Sequence, residues 1–293
     1  MAKETRIPEN NRFASPGNSK KCPTVTAPHV IEPKYPAAAD RYINLGQFYD
    51  IAAAKARRAE VVHWTDACSA CYQRAYRALG AARQLEEGSS ALAAEGLDGE
   101  KLLRRTDGII GRELRGKGPG GEDALRFLGS VTCKGPIWRF DSVRALCPKV
   151  YELQDSWGLA APMLERIRSA AAVRGYRGIV CPDPEHTDRI QHLLLPDLGL
   201  GFVTSRPGMT YDGSPYRRIR LDAMVDPAHL KRHRARLRFV RRMADALREE
   251  GMEALGEAKR CHDQLEGVYH PYVDFEGVSR VAEEEIARIE RYL

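Results

Sequence analysis

The sequence predicts an α/β protein built on a parallel sheet that is covered by helices. Three apolar segments, VYELQ, GYRGIVCP and LGLGFVTS, follow one another between residues 150 and 205 and are separated by helix-forming or loop-forming segments. Strand–helix–strand order of this kind is typical of parallel sheets. Residues 161–173 carry apolar side chains at helical spacing. We therefore expect one sheet containing residues 150–154, 177–181 and 199–204, with a helix over 161–173 and a loop and short helix over 183–191.

Composition and charge limit the classes of protein to which the chain can belong. The chain has 293 residues, of which 43% are hydrophobic and 29% charged, as in ordinary globular proteins. No apolar run approaches the length of about 20 residues that a membrane span requires, and the polar start has no apolar core of a secretory signal. Seven scattered cysteines without an export signal favour reduced thiols. We expect a cytoplasmic protein with no membrane association.

An internal repeat predicts the domain organisation. Residues 43–83 align without gaps on residues 219–259, with matches such as Ile43/Ile219 and Gly80/Gly256. Two separated segments in one register indicate a domain-sized duplication. We expect a disordered leader over 1–23, an incomplete and mainly helical first copy over 24–114, a glycine-rich linker over 115–123 and a second domain over 124–293.

The turn after the first predicted strand is where a phosphate-binding loop belongs. Such a loop needs G-x-x-x-x-G-K-[ST], in which glycines bend the backbone, lysine neutralises phosphate and a hydroxyl binds magnesium. In this register Asp155 and Ala160 stand at the two glycine positions, Ala161 at the lysine and Pro162 at the hydroxyl. The residues between them are Ser156, Trp157, Gly158 and Leu159. By itself the segment gives no sign of nucleotide binding, and Asp155 would repel a phosphate.

The remaining candidate sites are weaker. Residues 116–121 are rich in glycine but lack a lysine, which favours a linker. Cys68 and Cys71 have no second Cys-x-x-Cys to complete a zinc site, so buried thiols are favoured. A polar cluster near the C-terminal helices (His262, Asp263, Glu266 and Asp274) is either a site or ordinary surface polarity. We predict no catalytic residue and no metal site.

A basic segment is the strongest charge feature. Residues 231–242 contain seven lysines or arginines and no acid. The residues that could bind a polyanion are Lys231, Arg232, Arg234, Arg238, Arg241 and Arg242. A solvated helix face is the favoured alternative, because acidic residues follow at 249, 250 and 253.

Several segments together carry a family resemblance. They are TAPHVIEPKYP, INLGQFYD, SVTCKGPI, the block from Cys181 through LLLPDLGLGFVTS, and HDQLEGVYHPYVDFEGV. In these the chain resembles the tandem P-loop ATPase or nucleotide-kinase-like proteins of spore-forming Firmicutes. The resemblance implies a P-loop NTPase-like three-layer parallel sheet with helices on both faces, a mainly helical remnant of a first duplicated copy, and binding of ATP with Mg²⁺.

The chain departs from this family at the nucleotide site. Its first copy joins the family pattern only at TAPH, and the acidic residue of the family at the end of the third strand corresponds to Thr204, a degenerate Walker B position. We therefore expect no bound cofactor and a non-catalytic role in binding or assembly, with a protein partner or a second copy of the chain. One alternative is an active ATPase or kinase-like phosphotransferase, complete only if an upstream Walker A half exists. A second alternative is nucleic-acid binding through residues 231–242.

Overall fold

The computed structural model describes residues 43–291, which contain eight α-helices and eight strands. The helices are α1 (Ile51–Ala54), α2 (Arg58–Ala94), α3 (Gly99–Glu113), α4 (Phe140–Leu146), α5 (Ala161–Val173), α6 (Pro227–Arg232), α7 (Arg234–Tyr269) and α8 (Phe275–Glu290). The strands are β1 (Ala124–Leu125), β2 (Gly129–Thr132), β3 (Gly135–Trp138), β4 (Lys149–Gln154), β5 (Ile179–Asp183), β6 (His186–Leu195), β7 (Leu200–Ser205) and β8 (Arg217–Arg220). The predicted leader over 1–23 lies outside the described residues.

Six strands form one mostly parallel sheet, which confirms the α/β class. Their order is β1-β5-β6-β7-β4-β8, and β4 runs parallel to both of its neighbours. The predicted strands over 150–154, 177–181 and 199–204 all belong to this sheet, and the predicted helix over 161–173 is α5.

The prediction of a wholly parallel sheet is wrong at one strand. β6 is antiparallel to both β5 and β7, whereas residues 183–191 were expected to form a loop and a short helix. The first half of β6, HTDRIQ, is polar and shows no strand pattern. Its conformation depends on hydrogen bonding to neighbours on both sides, which local sequence does not reveal.

The core lies on both faces of the sheet. Tyr151, Leu153 and Phe202 belong to a cluster that also includes residues of α3 and α5. Val150 and Val203 point to the opposite face, where they cluster with residues of α4. Because successive side chains in a strand alternate between faces, neighbouring residues of β4 and β7 supply both clusters, and helices pack against each face.

The long helices α2 and α7 form an antiparallel hairpin. Gly251 of α7 packs against α2, where an added Cβ would lie 2.8 Å from the side chain of Leu79. Further along, the Cys68 thiol lies 3.6 Å from the carbonyl of Ala258. Gly88, Ser89 and Ser90 would break a helix locally, yet α2 continues through them to Ala94. Packing against α7 outweighs the cost of about 1 kcal/mol that a helical glycine carries.

The glycine-rich segment over 115–123 is irregular but anchored. The backbone N–H of Gly118 donates to the carbonyl of Arg174 at 2.8 Å, and that of Gly120 donates to Gly175 at 2.9 Å. An added Cβ at Gly118 would lie 2.3 Å from the carbonyl oxygen of Gly175. Glycine is therefore required at 118 for close approach of two backbones.

The chain divides into two compact units. One contains the described residues 43–51 and 272–291, and the other contains 52–271. In the first unit Asp274 caps α8 by accepting a hydrogen bond from the backbone N–H of Gly277 at 2.9 Å. The domain boundaries expected from the duplication stay a prediction. Among residues 43–291, no helix has the length and apolar character to cross a membrane.

Candidate ligand site at the carboxyl ends of the strands

A cavity of about 90 Å³ lies where β4, β5 and β7 end. Its lining includes the loop between β4 and α5, the ends of β5 and β7, and side chains from α2 and α7. β4 stands between β7 and β8, so the order of the strands reverses there. Ligands of open α/β sheets bind outside the carboxyl ends of the strands at such a reversal, which makes this cavity the candidate site.

A carboxylate of the chain itself is bound by the backbone of the loop between β4 and α5. Asp155 is buried, and its two carboxylate oxygens accept hydrogen bonds from the backbone N–H groups of Leu159 at 2.8 Å and Ala160 at 2.7 Å. Burial raises the pKa of Asp155, and the backbone donors oppose that rise. The N–H groups of the two residues that lead into α5 are thus bonded to a carboxylate of the chain, at the end of a helix where anions commonly bind.

Other residues of the same loop are also held by hydrogen bonds within the chain. Asp222 accepts hydrogen bonds from the backbone N–H of Ser156 at 2.8 Å and from its hydroxyl at 2.7 Å. Gly158 has a φ of 72°, and Ala161 and Pro162 begin α5 without supplying a cation or a hydroxyl. The contact with Asp222 joins residues 66 apart, so no local sequence signal could have indicated it.

Two buried side chains face the cavity with unused hydrogen-bonding capacity. Gln191 has no partner for its amide nitrogen or oxygen within the described residues, and the hydroxyl of Thr204 has none either. Both side chains line the cavity. Buried polar groups are nearly always satisfied, so these two indicate a small polar ligand or bound water. The predicted Walker B position, Thr204, therefore offers a hydroxyl in place of a carboxylate.

Arginines surround the cavity, but one of them is neutralised. Arg206 pairs with Asp183 at 3.0 Å. Arg189 and Arg241 also reach the cavity, and the guanidinium of Arg241 lies 5.4 Å from the centre of the Trp157 ring. A cation over an indole face is attracted by the ring's electron distribution.

His192 lies on β6 and is completely buried. Its Nδ1 accepts a hydrogen bond from the backbone N–H of Thr204 at 3.1 Å. Burial and the nearby Arg206 charge lower the pKa of His192 to about 3. The folded protein therefore favours neutral His192, and protonation favours the unfolded chain, where the pKa is about 6.5. The contribution of His192 to the free energy of unfolding is complete above pH 6.5 and is lost as the pH falls toward 3.

We expect the free energy of unfolding to fall by about 2 kcal/mol between pH 7 and pH 5 because of His192 alone. His192→Gln keeps an oxygen that can accept from Thr204 but does not titrate, so its stability should depend less on pH by that amount. Urea unfolding at both pH values measures the difference, with exposed His262→Gln as the control. Equal pH dependence in wild type and His192→Gln would contradict the expectation.

The basic segment is divided between two helices. Lys231 and Arg232 end α6, whereas Arg234, Arg238, Arg241 and Arg242 lie in the first turns of α7. The helix is interrupted at His233, so residues 231–242 do not form one continuous helix. Of the six predicted polyanion-binding residues, Arg241 alone lines the cavity.

The weaker candidates are arranged as follows. Cys68 is buried and Cys71 half-buried, and Cys261 of α7 lies beside Cys71, which the sequence did not suggest because the two lie on separate helices. His262, Asp263 and Glu266 hold potential metal-ligand atoms within 4.8 Å of one another. The Lys259 ammonium binds both oxygens of Asp263, at 2.7 and 2.8 Å, and would compete with a cation.

Comparisons with known proteins returned no family model, no curated protein and no solved structure that matches the chain.

Proposed function

We propose that this chain is a non-catalytic binding protein on a P-loop NTPase-like sheet, with its phosphate loop closed by its own carboxylate. The observation that carries the proposal is the pair of hydrogen bonds from Leu159 and Ala160 to Asp155. A nucleotide phosphate would have to displace a buried carboxylate that is bonded to the same backbone groups.

The dimensions and chemistry of the cavity support the same proposal. Ligand pockets for cofactors measure about 300–1,000 Å³, whereas this cavity measures about 90 Å³. Phosphoryl transfer relies on positioning and on stabilisation of charge by lysine, arginine and magnesium. The loop has alanine and proline where the lysine and the magnesium-binding hydroxyl would stand. ATP and Mg²⁺ therefore do not fit these residues, and no catalytic step follows from them.

We expect no measurable binding of Mg-ATP by calorimetry at submillimolar nucleotide, and no ATP hydrolysis above buffer. Each lost charge-assisted contact costs about 1.5–3 kcal/mol, and about 1.4 kcal/mol is a tenfold change in affinity. Several losses together would move a micromolar site to millimolar or weaker.

Two variants sharpen this experiment. The first variant combines Asp155→Gly, Ala160→Gly, Ala161→Lys and Pro162→Ser. It removes the internal anion and supplies the missing groups, so it should gain Mg-ATP binding. Asp155→Asn is the matched control, because it removes the charge without restoring lysine or hydroxyl, and it should not bind. Micromolar affinity of the unmodified chain for Mg-ATP would sink the proposal.

The second candidate function is an active ATPase or kinase-like phosphotransferase. One observation favours it: Arg241 lines the cavity at the carboxyl end of β4, so a basic residue from outside the loop could contact a phosphate there. The same calorimetry separates the two candidates, since only the enzyme requires Mg-ATP binding by the unmodified chain.

A further inference from the structure

Four arginines form a stripe along one side of α7. Arg234, Arg238, Arg241 and Arg242 are spaced four, seven and eight residues from the first, and such positions share a helix face. All four are exposed. The first acidic residue of α7 is Asp245, which pairs with Arg248. Within residues 43–291, no carboxylate lies at ion-pair distance from the stripe, so its charge is available to a partner.

The face of α7 beside the stripe is already covered. Leu237 and Ala244 are buried, and α7 packs along its length against α2. A helix that lies in a membrane surface buries its apolar face among the lipids. That face is not free to do so, but Phe239 and Met243 of α7 are exposed, so anionic lipid vesicles are a competing ligand in the experiment below.

The length and chemistry of the stripe fit a row of phosphates. Eight residues of helix span about 12 Å, which at about 3.4 Å per phosphate along one strand accommodates about four phosphates. Arginine binds phosphate through a planar fork of N–H groups, an arrangement that a point charge does not reproduce.

The stripe reaches an aromatic side chain. Arg241 stands over the half-buried ring of Trp157. Proteins that bind single strands combine a cationic track for the backbone with aromatic rings on which bases stack. We infer that α7 binds single-stranded nucleic acid, with Arg234, Arg238, Arg241 and Arg242 on the phosphates and Trp157 against a base. Arg241 and Trp157 also line the cavity, whereas Arg234, Arg238 and Arg242 do not, so replacing these three tests strand binding without changing a residue of the Mg-ATP test.

Fluorescence anisotropy of the full chain with a labelled mixed-sequence oligonucleotide of about 12 nucleotides tests the inference. The logarithm of the association constant should fall linearly with the logarithm of salt concentration. Replacing the four stripe arginines with glutamine should make that slope shallower by about 2.8, which is four contacts at about 0.7 each. Replacing them with lysine should retain the slope. Trp157→Ala should weaken binding about fivefold or more without changing the slope.

The matched control removes four exposed cations elsewhere, by Arg77→Gln, Arg105→Gln, Lys117→Gln and Lys134→Gln. It changes net charge equally and should leave the slope nearly unchanged. An equal loss in the control, an unchanged slope in the glutamine stripe variant, or tighter binding of anionic lipid vesicles or poly-glutamate than of the oligonucleotide would each overturn the inference. Equal melting temperatures verify that the variants are folded.

Discussion

Replacing Arg248 with methionine is expected to lower the free energy of unfolding by about 3 kcal/mol. Arg248 of α7 is mostly buried and pairs with Glu86 of α2 and with Glu185, which it meets at 3.0 Å in the turn between β5 and β6. Burial disfavours its charge, but the two carboxylates more than offset this, so the pKa of Arg248 is raised. Methionine would leave both carboxylates without this partner.

Urea unfolding at neutral pH measures the loss. The control is Arg104→Met, which removes an exposed ion pair with Glu100 and should cost less than about 1 kcal/mol. Adding Glu86→Gln to Arg248→Met should recover part of the stability, because Glu86 loses its ion-pair partner whereas Glu185 keeps Arg206 at 3.6 Å. If Arg248→Met were no less stable than Arg104→Met, the three side chains would not act as a buried network.

Truncating Phe202 to alanine is expected to cost about 3–5 kcal/mol. Phe202 is completely buried in the middle of β7, and its ring stacks on Tyr151 of the adjacent β4 with centroids 5.3 Å apart. The truncation removes this contact and opens a cavity in the cluster that joins the sheet to α3 and α5.

The same urea experiment reports this effect as a lower midpoint with an unchanged slope. Phe239→Ala is the matched control, because that ring is 53% exposed on α7, and its loss should change stability by about 0.5 kcal/mol or less. A cost below about 1 kcal/mol for Phe202→Ala would mean that the cluster closes over the missing ring.

The central part of the fold could be predicted because its signals are local. β4, β7 and α5 have apolar residues at the spacing of their own secondary structure, so each was placed within one or two residues. β6 and the last two turns of α2 could not be placed in this way. Their conformations depend on β5, β7 and α7, which are distant in sequence.

The candidate site was likewise predictable only where its signals are local in the sequence. The sequence indicated the loop between β4 and α5 and its lack of a lysine. From the sequence, Asp155 is a charge that would repel phosphate. The structure adds that this carboxylate accepts hydrogen bonds from the backbone of the loop. Gln191 was not a candidate because its segment looked like a loop. The network of Arg248 joins residues up to 162 apart, so no local sequence pattern indicates it.

The antiparallel hairpin of α2 and α7 has a mechanical consequence. His229 donates to the carbonyl of Leu92 at 2.8 Å, and the backbone N–H of Asp226 donates to Gly96 at 2.8 Å, so the chain enters and leaves the sheet region at neighbouring points. At the far end of the hairpin, Cys68 lies beside Ala258. A pulling force applied to residues 58 and 269 would therefore unzip the two helices one contact at a time, and tension would reach the sheet only after the hairpin had opened.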